Sequence, residues 1–131
     1  MAGAHILLVD DDPDLLRLLS LRLTANGYRV TAVGSAEAAL ARLSIELPQL
    51  VVSDIRLPDR DGMALFQEIR SQYPALPVIL LTAHGTIPDA VEATTLGAYA
   101  YLTKPFDAKV LLERIEQAPV SYTHLTLPTK A

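Results

Sequence analysis

No cysteine occurs among the 131 residues, which excludes disulfides and thiolate metal sites and leaves a reducing compartment open to the chain. Long apolar runs are missing as well. The N-terminal one, Ile6–Val9, stops after four residues in a row of acids. That is too short for a signal-peptide core, and no stretch approaches the roughly 20 apolar residues of a membrane span. Basic charge is scarce: the formal net charge of -4 gives no cationic footprint, so no direct nucleic-acid binding and no membrane contact are expected. Repeats, low-complexity tracts and linkers are absent before residue 118. What remains is half hydrophobic and a fifth charged, the balance of one globular domain large enough to bury a core. The expected compartment is the cytoplasm.

Short apolar runs alternate with helical patterns. The strand candidates are Ile6–Val9, Tyr28–Val33, Leu50–Ser53, Val78–Thr82 and Ala98–Leu102, nearly continuous in apolar residues as strands covered on both faces are. Between them, Asp12 can cap a helix with Pro13 at its first position, and Leu15, Leu16, Leu19 and Leu23 keep one apolar face until Asn26-Gly27. Ser35 caps Ala36–Leu43, and Met63–Gln72 ends before Tyr73-Pro74. A fourth helix starts in Thr86-Ile87-Pro88-Asp89 and reaches Leu96-Gly97. Asp107 caps a last one with Val110, Leu111 and Ile115 inward. Five strand–helix alternations predict an α/β fold, a doubly wound parallel sheet with right-handed crossovers.

In such a sheet, ligands bind outside the carboxyl ends of the strands, where the strand order reverses. That edge is where the polar residues fall. Asp10 and Asp11 end the first strand in LLVDDDPD, and Asp54 follows the third in LVVSDIRLPDRDG. Thr82 ends the fourth, and Lys104 follows the fifth in YLTKPF. Three converging carboxylates without a partner would be strained by several kcal/mol and pushed toward protonation. A hard divalent cation removes the conflict, and Mg²⁺ favours a few oxygen ligands plus water.

These residues carry a resemblance. The chain resembles a bacterial two-component response-regulator receiver domain, CheY-like, from near residue 5 to near residue 117. The features that agree are Asp10-Asp11, Asp54 within SDIRLPDRDG, Thr82-Ala83, Lys104-Pro105, and Tyr101 three residues before the lysine. HGTIPDAVEATTLGA and Tyr73-Pro74 look most like receivers of the nitrogen-response class of enhancer-binding transcriptional activators. The resemblance implies a flavodoxin-like sheet of order 2-1-3-4-5 with five helices. It implies Asp54 as phosphoacceptor for a sensor histidine kinase, with Mg²⁺ held by Asp10, Asp11, Asp54 and the Arg56 backbone carbonyl. Lys104 would neutralise the phosphoryl oxygens, Thr82 would bond the attached group, and Tyr101 would move inward in response. A cis Lys104-Pro105 peptide is expected. The face from Asp89 to Glu116 is where such domains commonly dimerise and present a switched surface. Receivers of this class usually precede an ATPase domain and a DNA-binding domain, so transcriptional control would act through an output domain missing here.

Plainer readings cover the other polar residues. Asp12 reads as a cap rather than a ligand, Asp59 and Asp61 as turn formers in a Pro/Gly loop, and Gly62 as a backbone requirement ahead of the third helix. His84 reads as a solvated loop residue rather than a base, and His5 has no special role. Two other functions compete with the phosphoacceptor switch, which is not itself an enzyme. A Mg²⁺-dependent aspartyl phosphatase would need a second acid two residues after the nucleophile, where Arg56 stands. A phosphate-independent receiver-like binding module would lack one of Asp11, Asp54 or Lys104, and all are present. The receiver domain is therefore expected over residues 1–118. The remainder, 119–131, is expected to be a non-native or disordered tail. Its run VSYTHLTLPT reads as a translated sequencing adapter, and His124 is no ligand candidate.

Overall fold

The computed structural model describes residues 3–83 and 87–119. Five strands, β1 (His5–Val9), β2 (Arg29–Val33), β3 (Leu50–Asp54), β4 (Val78–Thr82) and β5 (Ala100–Thr103), alternate with five helices. The helices are α1 (Pro13–Ala25), α2 (Ala36–Ile45), α3 (Gly62–Gln72), α4 (Ile87–Thr95) and α5 (Ala108–Glu116). The sheet is all parallel, in the order β2-β1-β3-β4-β5, as expected. Its order reverses at β1, whose neighbours are β2 and β3.

Alternation along the strands builds two cores. Leu7, Val9, Val51, Val78 and Leu80 face α2, α3 and α4, packing on Leu43, Leu65, Phe66 and Ile69. Ile6, Leu8, Leu50, Val52, Ile79 and Leu81 face α1 and α5, packing on Leu19, Leu23, Leu111 and Ile115. Both faces being covered explains the unbroken apolar runs of β1, β3 and β4, which are buried throughout. The edge strands depart from the expectation. In β2, Arg29 and Ala32 are exposed while Val30 and Val33 pack on the two cores, because the helices cover an edge strand only in part.

Three caps fall where the sequence placed them: Asp12 accepts from the N–H groups of Asp14 and Leu15, Ser35 from Ala38 and Asp107 from Lys109. Asp61, read from sequence as a turn former, caps α3 by accepting from the Met63 N–H. Val110 corrects the reading of the last helix. It is 37% exposed, and the inward stripe is Ala108, Leu111, Leu112 and Ile115. Those positions recur at three- and four-residue steps, and Val110 lies one step off the stripe. The end of α5 is fastened twice. The Tyr28 hydroxyl donates to Glu116 Oε2 at 2.9 Å and the Tyr99 hydroxyl to the Arg114 carbonyl at 2.9 Å. Burial, and then the Glu116 carboxylate, push the Tyr28 hydroxyl up to about 12.

His84, the Thr86 start of the fourth helix, and the tail from Val120, with His124, lie outside the described residues. Among the described residues no helix is long and apolar enough to cross a membrane.

Candidate functional site

Four strand ends meet at the carboxyl edge of the sheet. Asp10 follows β1 and is 2% exposed, Asp54 closes β3 at 8%, and Thr82 closes β4 with no exposure. Lys104 follows β5, and its backbone N–H reaches back to the Thr82 carbonyl at 2.7 Å. Its ammonium lies between two acids, donating to Asp10 Oδ2 at 2.8 Å and Asp54 Oδ2 at 2.7 Å. The Lys104–Pro105 peptide bond is cis.

The other oxygens of the two buried acids are held locally. Asp10 Oδ1 accepts from the Asp12 N–H at 2.9 Å, and Asp54 Oδ1 from the Arg56 N–H at 3.0 Å. Burial lifts the Asp10 carboxyl above its ordinary value, opposed in part by Lys104 and the Asp12 N–H. Burial works against the Lys104 ammonium too, yet the hydrogen bonds it donates to both acids outweigh burial and raise its pKa. Asp11 is exposed and completes the group: Asp10, Asp11 and Asp54 offer oxygens within 4.8 Å of one another. At about that separation and an effective dielectric near 20, two carboxylates repel by about 3 kcal/mol. Three carboxylates face one ammonium here, an excess of negative charge that suits a divalent cation. The donors are all oxygens, the set a hard cation takes.

Thr82 donates its hydroxyl to the Ala83 carbonyl at 3.0 Å. Tyr101 is half-buried in β5, beside Leu80 on the α2–α3–α4 face. Gly62 opens α3 under a hard constraint, since a Cβ there would lie 2.4 Å from the carbonyl oxygens of both Asp54 and Ile55. Only glycine lets the α3 start pack this closely under the end of β3.

The structure adds residues that sequence reasoning passed over. Asp59 lies in a bend of the β3–α3 loop, as expected, and does more than shape it. Its Oδ1 accepts from the Ala36 N–H and its Oδ2 from the Glu37 N–H, both at 2.9 Å, so it caps a helix 23 and 22 residues away. Those two bonds hold its carboxyl below the usual range. No spacing rule could have found it, because Ser35 already supplies the local cap. Arg56, exposed, pairs with Asp61 in a short antiparallel bridge that closes the neck of the β3–α3 loop. His5, given no role from sequence, is 5% exposed and bonds Thr31 Oγ1 through Nε2 at 2.7 Å. A histidine among apolar neighbours at the start of a strand was the available signal.

Comparison with known proteins agrees with this geometry. The family model for the response regulator receiver domain matches residues 6–116. The transcriptional regulatory protein GlrR of Escherichia coli is 53% identical over 115 residues, 88% of this chain and 26% of that protein. The DNA-binding transcriptional regulator NtrC of Proteus hauseri is 40% identical over 131 residues, all of this chain and 28% of that protein. The solved structure of NtrX from Brucella abortus superimposes with a TM-score of 0.85 at 38% identity, covering 94% of this chain and 28% of that one. The chain thus spans about a quarter of the length of the curated relatives it matches. A 2-1-3-4-5 sheet with its acids and lysine gathered at one edge, and a family match over nearly every described residue, lead to one conclusion: the chain belongs to the response regulator receiver domain family.

Proposed function

We propose that this domain takes a phosphoryl group onto Asp54 from a phosphohistidine of a sensor histidine kinase, in a Mg²⁺-dependent reaction, and thereby switches a protein-binding surface. The observation that carries the reading is the placement of Asp54 at the end of β3, with Oδ2 on Lys104 and two further acids beside it. In the transfer, an Asp54 carboxylate oxygen forms the new O–P bond as the N–P bond to the histidine breaks. The imidazole leaves with the electron pair. Lys104 stays beside the acceptor and neutralises phosphoryl oxygens as they approach, which favours an expanded transition state whose charge is spread over them. Asp10, Asp11, Asp54 and the Arg56 carbonyl would hold the Mg²⁺, which supplies charge neutralisation when bound.

Attachment adds about −1.5 to −2 charge. The Thr82 hydroxyl, at the end of the neighbouring strand, then turns from the Ala83 carbonyl to the phosphoryl group, and Tyr101 follows inward. The face affected is Asp89–Glu116. Val91, Leu96 and Val110 are exposed along it, apolar side chains suited to a partner or a second copy. Location in the cytoplasm and control of transcription through further domains are supported by relatives named as transcriptional regulators. The receiver is proposed to end near residue 118, in keeping with a family match that stops at 116.

Intact mass after incubation with acetyl phosphate, with and without Mg²⁺, tests the chemistry. One phosphoryl adduct that requires Mg²⁺ and vanishes in Asp54→Asn is expected. No adduct, in the full chain and in a chain ended at Ala118 alike, overturns the reading in favour of a phosphate-independent module.

A further inference from the structure

The β3–α3 loop is closed at its neck and tethered at its tip. At the neck, Arg56 bridges Asp61, and the Gly62 N–H donates to the Ile55 carbonyl at 2.7 Å. At the tip, both oxygens of Asp59 are taken by the first two N–H groups of α2. Arg60, next along, adds Glu68 of α3 at 2.9 Å and Glu37 of α2 at 3.6 Å. The far end of this tether leads back to the site. The Asp10 N–H donates to the Val33 carbonyl at 3.1 Å, and Val33 lies two residues before the Ser35 cap of α2. A closed ring of contacts therefore runs from Asp54 through the loop to Asp59, across to α2, and back through Val33 to Asp10.

We propose that Asp59 is a positioning residue for the cation site: by tying the loop tip to the first turn of α2, it sets where the Arg56 carbonyl stands relative to Asp10 and Asp54. The inference rests on the phosphoacceptor reading above. Arg56 lies beyond the end of β3, so the sheet ladder does not orient it. The neck bonds, with the Arg56 N–H on Asp54 Oδ1 at 3.0 Å, join residues 54–56 to 61 and 62 but do not reach the tip, to which they leave a pivot about the neck. Two backbone hydrogen bonds to a charged acceptor, on the fixed end of a ten-residue helix, remove that pivot. Groups that orient metal ligands without touching the metal commonly change affinity by 10- to 100-fold when removed. Asp59 stands in that relation to the Arg56 carbonyl.

The test is a Mg²⁺ titration followed by amide chemical shifts, with no phosphoryl donor present, on the whole chain and three variants. Asp59→Ala should raise the half-saturating Mg²⁺ concentration by about tenfold. Asp59→Asn keeps one acceptor oxygen and should fall between Asp59→Ala and the parent chain. Ser35→Ala removes the local cap of the same helix at Ala38, leaves the loop tether in place, and should keep the parent half-saturation. Amide exchange at Ala36 and Glu37 should accelerate in Asp59→Ala, showing that the tether was broken. Half-saturation within twofold of the parent despite that acceleration overturns the proposal. So does an equal shift in Ser35→Ala, which would assign the effect to fraying of α2. A parent chain that neither binds Mg²⁺ nor accepts phosphoryl groups would instead sink the phosphoacceptor reading itself.

Discussion

β1 carries a buried ionisable side chain at each end, and the two are managed in opposite ways. At the carboxyl end, Asp10 meets two other acids and shares a single ammonium with one of them. At the amino end, His5 bonds the neutral hydroxyl of Thr31, its backbone N–H goes to Gln49 Oε1 at 2.6 Å, and Glu46 stands 3.7 Å from Nδ1. Glu46 is itself neutralised by Arg29 at 2.7 Å. One edge of the same strand thus accumulates unmatched charge, and the other disperses it. The unmatched edge costs stability that a bound cation would recover; the matched edge ties β1, β2 and the α2–β3 connection together.

Substitutions at the two edges should therefore have opposite signatures. The largest effect belongs to Lys104→Ala. Acetyl phosphate labelling, followed by mass, should slow on the order of 100-fold as the preorganised charge is lost. Thermal unfolding in metal-free buffer should show a loss of about 2 kcal/mol, less than for a fully buried pair because the ammonium is partly solvated. Added Mg²⁺ should restore much of that stability. A Lys104→Ala chain that labels at the parent rate would erase the distinction between the edges.

At the amino edge the expected effect is on stability alone. Burial lowers the His5 pKa from its ordinary 6.5, with Glu46 opposing and Arg29 and Arg42 reinforcing the shift. The folded ring therefore resists a proton that the unfolded chain accepts. Stability is full above about pH 6.5 and falls as pH drops below it. Glu46, held low by its bond to Arg29, adds a second loss of the same sign only below its ordinary 4.5. Chemical denaturation at a series of pH values should show the first decline in the parent and not in His5→Gln, with Asp54 labelling at pH 7.5 unchanged. The smallest effect is a gain. Asp11→Asn removes one like charge from an exposed position and should raise metal-free stability by about 0.5 kcal/mol, measured by urea unfolding, while weakening Mg²⁺ binding.

The carboxyl edge was the legible half. Strand ends follow from apolar runs, and a parallel sheet sends every such end to the same side, so Asp10, Asp54, Thr82 and Lys104 could be brought together before any coordinates. The caps Asp12, Ser35 and Asp107 were legible because each acts within three residues of itself. What sequence could not supply were partners fixed by tertiary packing. Asp59 reaches α2 only because the loop folds back across the β2–α2 turn. His5 finds Thr31 only through the β1–β2 register, which sets His5 opposite Arg29 and leaves Thr31 two places on. Val110 shows a different limit. An apolar residue near a helical stripe is counted inward by composition, and a rotation of one step puts it in solvent.

The two tyrosines at the end of α5 give the domain a mechanical polarity. Tyr28 precedes β2 and Tyr99 precedes β5, so the hydroxyls that grip Glu116 and Arg114 are rooted at opposite margins of the sheet. A pull on the chain at residue 117 is shared between both margins instead of peeling α5 from one side. The last helix behaves as a post anchored at two corners. A rearrangement at the carboxyl edge of the sheet would then reach α5 from both margins at once and not from one.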